Sequence, residues 1–185
     1  MRNVEFKSEL REPDLAAAAL KAAGARFVIR LRQLDTYYRV PTGKLKKREA
    51  WPVLAAPEPD QPLQLEEPEP VEYIRYERHE RPNPKLSDFH IYTEAEFAER
   101  FGQTPPPVWV QVDKVRAVWM AGPVRVHLDE VKGLGRFLEF ESLVTKEQNI
   151  ARGHESVNTL RARLAPTLGE PVAAGYADLL AAETA

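Results

Sequence analysis

Two segments near the carboxyl end of the chain alternate between apolar and charged residues. In the first, the apolar positions are Val124, Val126 and Leu128, and the polar positions are Arg125, His127 and Asp129. In the second, Leu138 and Phe140 alternate with Glu139 and Glu141. Because successive side chains of a β-strand point to opposite faces, this period of two predicts two strands, each with one apolar and one charged face.

The same charged alternation recurs along the chain, at Glu5 and Lys7, at Lys46 and Arg48, and at Lys114 and Arg116. A sheet cannot bury a charged face in a dry core. It can close into a barrel with a wet, charged lumen and pack helices on its apolar outside. If the charged rows converge, they provide carboxylates for a divalent metal and cations for phosphates.

The remaining pattern predicts an α+β fold with seven to eight strands, mostly joined as antiparallel hairpins. The expected strands cover 2–10, 26–40, 44–51, 71–79, 108–120, 123–130 and 136–144. Pro13 begins a helix that ends at Gly24, and Thr93 with Glu96 forms a capping box that begins another. Residues 80–88 are predicted to be a polar loop, and the last forty residues one or two helices, broken at Pro166 and at 169–171.

Residues 52–70 contain six prolines, five acidic residues and no basic residue. This composition predicts a solvated hairpin connection, partly disordered. The functional alternative is a segment that docks a partner protein.

Composition narrows the class of protein. A chain of 185 residues suits a single domain, here 1–185. The net charge of −2 gives no support for nucleic-acid binding. The absence of cysteine excludes disulfides, zinc–thiolate sites and cysteine nucleophiles. No apolar run reaches membrane-spanning length and no secretory signal begins the chain, so we expect a cytoplasmic protein without a membrane partner.

Several motifs, in order, resemble those of the CYTH domains, the triphosphate tunnel metalloenzymes. Residues 5–7 resemble the end of the ExExK signature, and 33–38 with 41–49 resemble the family's D-x-Y-Y and G-x-L-K-x-R hairpin. Further matches are the basic strands at 76–78 and 114–116, the segment 125–141 with its R-x-x-x-D, G-L-G and E-x-E motifs, and the tail at 175–180. The tail is similar to that of the class IV adenylyl cyclase branch, and the resemblance spans essentially the whole chain.

The resemblance implies an eight-stranded antiparallel closed barrel, a tunnel with a charged lumen and helices packed outside. It implies Mg²⁺ or Mn²⁺ held by Glu5, Glu139 and Glu141. It also implies a phosphate-binding set of basic residues: Lys7, Lys46, Arg48, Arg78, Lys114, Arg116 and Arg125. The first glutamate of the signature is Asn3 here, so the metal site has one negative charge fewer and a second metal ion is in question.

The catalytic residues that we expect are Glu139, Glu141, Asp129 and Lys114. Three roles are open for Asp129: a metal ligand, a group that orients water, or a partner that holds Arg125. His127 shares the charged face, but a single histidine among Arg and Asp is more often a structural group, and we leave it outside this set.

The function implied is metal-dependent chemistry on a triphosphate-containing small molecule, ATP or inorganic triphosphate. The leading hypothesis is a class IV adenylyl cyclase-like reaction that converts ATP to cAMP and pyrophosphate. One alternative is a triphosphatase acting on inorganic triphosphate, thiamine triphosphate or a nucleoside triphosphate. The other is a non-catalytic module that binds nucleotide or polyphosphate. A homodimer is left open.

Overall fold

Eight antiparallel strands of the chain close into a barrel. The structure, a computed structural model, describes residues 1–55, 61–78 and 80–183. Its strands are β1 (Arg2–Leu10), β2 (Arg26–Tyr38), β3 (Lys44–Pro52), β4 (Glu72–Arg78), β5 (Lys85–Tyr92), β6 (Val108–Ala121), β7 (Val124–Val131), β8 (Gly135–Leu143) and β9 (Leu168–Pro171). Its helices are α1 (Pro13–Ala22), α2 (Glu94–Phe101), α3 (Ile150–Arg163) and α4 (Tyr176–Glu183).

The barrel order is β5-β4-β3-β2-β6-β7-β8-β1, and pairing of β1 with β5 closes it. That closing pair covers Arg2 to Glu5 of β1. Further along the same edge, β9 pairs with Ser8 and Leu10. The predicted closed antiparallel barrel with outer helices is therefore confirmed.

The main core lies between the outer wall of the barrel and helices α1 and α3. The outward side chains of β1, β7 and β8 form its barrel side: Val4, Phe6, Val124, Val126, Leu138 and Phe140. Each large apolar side chain buried in this way contributes about 1.5–3 kcal/mol. Gly153 of α3 lies against Val4, and a Cβ at this position would approach Val4 Cγ2 to 2.9 Å. The close packing of α3 on β1 therefore depends on the missing side chain.

Most elements begin and end near their predicted bounds, and two strands were missed. The capping box is present: Thr93 Oγ1 accepts a hydrogen bond from the Glu96 amide at 3.2 Å, and Glu96 accepts one from the Thr93 amide at 2.8 Å. In contrast, β5 begins at Lys85, inside the segment predicted to be a loop. The short strand β9 lies where only a helix break was expected.

The proline-rich segment connects β3 to β4, and Val53 pairs with Leu65 in an antiparallel bridge at its base. Residues 56–60 of this prediction lie outside the described residues. The assignment of 1–185 to one domain stays a prediction. Among the helices of the described ranges, none combines the length and apolar character needed to cross a bilayer.

Candidate active site

The barrel encloses a cavity of about 560 Å³. The predicted charged side chains reach it from six strands, in agreement with the alternating sequence pattern. The predicted residues that line it are Glu5, Lys7, Lys46, Arg48, Arg78, Lys114, Arg116, Arg125, Glu139 and Glu141. Asp129, the remaining predicted residue, is buried directly behind Arg116. The structure thus brings the whole predicted set to one place.

A buried carboxylate on β2 organises three of the cations. Lys46 and Lys114 each donate a hydrogen bond to Asp35 Oδ2, at 2.8 and 2.7 Å. The Arg48 Nε donates one to Oδ1 at 2.8 Å. Burial alone would raise the pKa of Asp35, but Arg48, Lys114 and Lys46 outweigh it and hold that pKa well below its usual range. One negative charge therefore fixes three positive side chains, leaving this group with a positive excess.

Burial makes the lysines of this group weaker bases. Desolvation and the neighbouring Arg48 lower the pKa of Lys46 to about 7, although Asp35 opposes the shift. Burial also lowers the pKa of Lys114. An anion bound in the cavity would restore the charged form of both, because a nearby negative charge favours a protonated amine.

A second buried carboxylate holds Arg116. Its guanidinium donates two hydrogen bonds to Asp129, at 2.7 Å from Nε and 2.6 Å from Nη2. The Tyr176 hydroxyl donates a third to Asp129 Oδ2 at 2.7 Å. Of the roles left open for Asp129, the structure supports that of a positioning partner, but the cation it holds is Arg116 and not Arg125.

The segment 175–178 crosses one end of the barrel. Lys7 Nζ lies 3.8 Å from the centroid of the Tyr176 ring, and Phe137 of β8 packs against the same ring. Asp178 forms an ion pair with Lys44 of β3. These contacts join the tail to β1, β3 and β8, and Gly175 and Tyr176 line the cavity at this end.

Glu139 lies at the centre of the acidic part of the cavity. Its carboxylate is 3.0 Å from Lys7 Nζ and 2.6 Å from Arg116 Nη2. Burial would raise its pKa, but Lys7 and Arg116 outweigh that effect and hold it well below the usual range. Glu139 is therefore ionised and able to act as an oxygen ligand.

His127, Glu139 and Glu141 form the one group of possible metal ligands found among the described residues. Their ligand atoms all lie within 4.8 Å of one another. Carboxylate oxygens are the donors that Mg²⁺ and Mn²⁺ prefer, and imidazole is a common ligand of transition metals. The donor set therefore fits a divalent cation.

Glu5, the third predicted metal ligand, makes a different contact. Arg78 Nη1 lies 2.6 Å from Glu5 Oε1. Burial raises the pKa of Glu5, against the effect of Arg78. Both side chains line the cavity, so this pair joins a predicted metal ligand to a predicted phosphate ligand.

The half of the cavity farther from Tyr176 has an apolar wall. Ile29 of β2 pairs with Val118 of β6, and Met120 follows on the same face. The apolar lining residues are Val28, Ile29, Leu31, Ile74, Phe89, Ile91, Val118 and Met120. Arg26 and Arg125 lie beside this wall, opposite Met120 in the strand register. The cavity thus combines a charged half with an apolar half.

Four contributions to the site were missed from the sequence. The resemblance includes Asp35 in the D-x-Y-Y motif and Tyr176 in the tail, but it assigns neither residue a role in the site. His127 was placed on the correct face but interpreted as structural. Gln33 lines the cavity with a buried Oε1 that has no hydrogen-bond partner, and no local pattern identified it.

Comparisons with known proteins agree with this geometry. The model of the CYTH domain family matches residues 1–168. No curated protein matches the chain. Among solved structures, the chain is similar to the PH1012 protein from Pyrococcus horikoshii OT3, with 17% identity, 96% of this chain and 98% of that chain covered, and a TM-score of 0.65.

Two further structures have names that mention an activity. One is a candidate adenylate cyclase from Vibrio parahaemolyticus, with 18% identity, 96% of this chain and 97% of that chain covered, and a TM-score of 0.64. The other is HpAC1 from Hippeastrum, a candidate adenylyl cyclase with a dominant triphosphatase activity. It is 12% identical over 100% of this chain and 96% of that chain, with a TM-score of 0.58. At these identities the likeness shows the fold.

Proposed function

Because the chain belongs to the CYTH domain family, we propose that it is a metal-dependent enzyme acting on a triphosphate that carries an organic group, with ATP as the first candidate. The observation that carries this proposal is the convergence of the seven predicted basic side chains in one cavity, beside a group of possible metal ligands. Arginine binds phosphate oxygens through a planar fork, and lysine acts as a point charge. This set suits a chain of phosphates.

The ion pairs of the cavity support the same proposal. Lys7 and Arg116 contact Glu139, and Arg78 contacts Glu5. Proposed phosphate ligands are thus paired with proposed metal ligands. On binding of a metal–triphosphate, Lys7, Arg116 and Arg78 would bind phosphate oxygens, and Glu139 and Glu5 would be available to hold the metal. Charge stays balanced, so this exchange avoids leaving buried ions unpaired.

The apolar wall supports a substrate with an organic group. Inorganic triphosphate has no apolar surface, and Ile29, Val118 and Met120 would have nothing to contact. Phe89 lines the same region and offers a ring face on which a planar base can stack. Burial of such a group adds the hydrophobic contribution that a bare polyphosphate lacks.

For the reaction itself, we propose a class IV adenylyl cyclase-like step. The ribose 3′-hydroxyl attacks the α-phosphorus and a new P–O bond forms, while the bond from the α-phosphorus to the α,β-bridging oxygen breaks. Pyrophosphate leaves, and the proton lost by the hydroxyl ends on it. When bound, the metal supplies Lewis-acid polarisation of phosphate oxygens. Arg116, held by Asp129, and Lys114, held by Asp35, are placed to stabilise negative charge that develops on the phosphates.

The test is incubation with ATP, and separately with inorganic triphosphate, in the presence of Mg²⁺ or Mn²⁺. Cyclic AMP plus pyrophosphate is the expected product pair. Orthophosphate from ATP would instead establish a triphosphatase, the second reaction that the same cations can support. Preparations of the Glu141→Gln variant serve as the control for contaminating activity. Tight binding of triphosphate without any metal-dependent product would contradict the enzyme proposal and favour a binding module.

The apolar wall is tested separately with Phe89→Ala. This change should weaken ATP binding by roughly the hydrophobic worth of the lost contact, about 1–3 kcal/mol. Binding of inorganic triphosphate should stay unchanged. Equal weakening of both ligands would show that Phe89 supports the barrel and does not contact the organic group.

A further inference from the structure

His127 lines the cavity beside the carboxylates of Glu139 and Glu141. Its side chain is 4% exposed and lines the cavity from β7. The Nδ1 atom lies 3.4 Å from Glu139 Oε2 and 3.9 Å from Glu141 Oε1. The imidazole therefore faces both carboxylates. Glu139 lies opposite His127 in the strand register, and Glu141 follows two residues further along β8.

The distances from His127 Nδ1 to the two carboxylates suit ligands of one cation. In an octahedral site with metal–ligand distances of about 2.0–2.1 Å, neighbouring ligand atoms are about 3 Å apart and opposite ones about 4.2 Å apart. The two distances from Nδ1 fall between these limits. A divalent ion held by Glu139 and Glu141 would therefore lie within reach of this nitrogen.

Two positions of β1, 3 and 5, correspond to the glutamates of the family signature, and neither belongs to the group formed by His127, Glu139 and Glu141. Position 3 holds Asn3, a neutral side chain that lines the cavity. Glu5 is paired with Arg78 at 2.6 Å, as Glu139 is paired with Lys7 and Arg116, and it remains a proposed ligand. The group of possible ligands found in the described ranges contains His127 in addition to the two carboxylates of β8, and it does not contain Glu5.

We propose that His127 is a ligand of the divalent metal, together with Glu139 and Glu141, and that its nitrogen makes the site prefer Mn²⁺ to Mg²⁺. The inference rests on the proposed function for the presence of a metal, and goes beyond it in naming a nitrogen ligand. First-row transition ions accept imidazole nitrogen readily, whereas Mg²⁺ prefers oxygen ligands and retains its waters.

A simpler role for His127 is to orient Glu139 by a hydrogen bond. The two roles differ in what they predict. An orienting histidine changes the affinities of Mn²⁺ and Mg²⁺ alike and gives no magnetic coupling to the ion. A ligand changes the Mn²⁺ affinity selectively, and its nitrogen couples to the unpaired electrons of Mn²⁺.

The experiment is pulsed electron paramagnetic resonance on the full chain with Mn²⁺, alone and with a methylene-bridged triphosphate analogue that resists cleavage. Wild type should show coupling to a directly bound ¹⁴N nucleus. Calorimetric titration with Mn²⁺ and with Mg²⁺ accompanies the spectra. In His127→Gln, which replaces nitrogen by an amide oxygen, the Mn²⁺ affinity should fall by at least about tenfold. The Mg²⁺ affinity should change by less than about threefold, since oxygen suits this ion.

The matched control is His90→Gln, because His90 is exposed on β5 and does not line the cavity. This variant should keep both the coupling and the affinities of wild type.

Three outcomes separate the inference from the proposed function. Bound Mn²⁺ without nitrogen coupling, and with equal affinity in His127→Gln, would overturn the histidine ligand and leave a metal-dependent enzyme in place. Nitrogen-coupled Mn²⁺ without any turnover of triphosphates would support the ligand and overturn the enzyme. Absence of Mn²⁺ binding, even with the analogue, would overturn both.

Discussion

Lys114 donates a hydrogen bond to Asp35 across 2.7 Å, and the side chains of both residues are only 1% exposed. The same carboxylate oxygen accepts a hydrogen bond from Lys46, and Arg48 binds the other oxygen. A charge so deeply buried is tolerated because several partners compensate it. The cationic half of the cavity therefore depends on a residue that does not itself face the proposed phosphates.

Replacing Asp35 by Asn should lower the free energy of unfolding by about 3–5 kcal/mol, because three buried cations lose their counter-charge. Inorganic triphosphate should restore part of the loss by supplying negative charge. Urea denaturation with and without triphosphate measures both effects. The control is Asp113→Asn, since the Arg32–Asp113 pair is partly exposed (38% and 29%) and should cost less than about 1 kcal/mol. Equal costs for the two variants would contradict the organising role of Asp35.

Substitutions of Glu139 and Glu141 should have the same effect on turnover but different effects on the free energy of unfolding. Glu141→Gln should abolish turnover and change the unfolding free energy by less than about 0.5 kcal/mol, as at a partly exposed position. Glu139→Gln should abolish turnover and also destabilise the fold, because Lys7 and Arg116 lose their charged partner. Activity assays and thermal denaturation decide between these results. Normal turnover in either variant would exclude that residue from the metal site.

Binding of triphosphate should weaken as the pH rises above about 7. The pKa of Lys46 is lowered to about 7 by burial, from 10.5. Below this pKa the amine is already charged; above it, a proton must be taken up when the anion binds. The dissociation constant should therefore rise with pH, by up to about tenfold per unit. Calorimetry in buffers of different ionisation enthalpy measures the proton uptake directly.

Lys46→Arg provides the comparison for this pH dependence, since arginine keeps its charge throughout the range. In this variant, residue 46 should no longer contribute to the pH dependence of the dissociation constant for triphosphate. A slope identical to that of wild type would assign the proton uptake to another group of the cavity.

Arg48→Ala should weaken triphosphate binding by about 1.5–3 kcal/mol, the worth of a charge-assisted hydrogen bond. Binding of adenosine, which carries no phosphate, should change much less. Arg32→Ala is the matched control, because Arg32 forms its ion pair with Asp113 and does not line the cavity. Calorimetry with both ligands tests the prediction, and an equal loss for adenosine would argue against a phosphate role.

Tyr176→Phe should lower the free energy of unfolding by about 1.5–3 kcal/mol, because the hydroxyl donates to a charged carboxylate. Tyr92→Phe is a suitable control, because the Tyr92 ring packs against Phe101. Loss of the Tyr92 hydroxyl should lower the free energy of unfolding by less than about 0.5 kcal/mol. Chemical denaturation compares the two variants. No difference between them would show that Tyr176 contributes only its ring.

The sequence predicted those parts of the fold in which one strand face is apolar and the other charged. The segment Val124 to Asp129 has this alternation, which determines that Val124 and Val126 pack outside the barrel while Arg125 and His127 face the lumen. Strand β5 was missed because its inward face mixes polar and apolar residues and because Pro82 and Pro84 precede it. Ser87, Phe89 and Ile91 line the cavity, and Lys85 lines a small adjoining pocket. Strand β9 contains Gly169 and Pro171 and exists because the free edge of β1 pairs with it.

The sequence predicted which residues of the site face the lumen. It did not predict which of these side chains form ion pairs and hydrogen bonds with one another. Alternation placed His127 and Asp129 on the lumen face. Which cation Asp129 holds depends on the pairing of β6 with β7, where Arg116 lies opposite it. The contact of Tyr176 with Asp129 joins residues 47 positions apart in the chain. No local pattern encodes a contact of that kind.

Because Tyr176 lines one end of the cavity and packs on Lys7 and Phe137, the proposed substrate would enter and leave by the opposite end. In the proposed reaction, the phosphate chain enters first and lies deepest, near Lys7 and Lys114. After cyclisation, cyclic AMP would lie between pyrophosphate and the opening and would depart first. Pyrophosphate would then be the last product to be released and would compete with the next ATP molecule. The throughput of such an enzyme would be set by how quickly its surroundings remove the inorganic product.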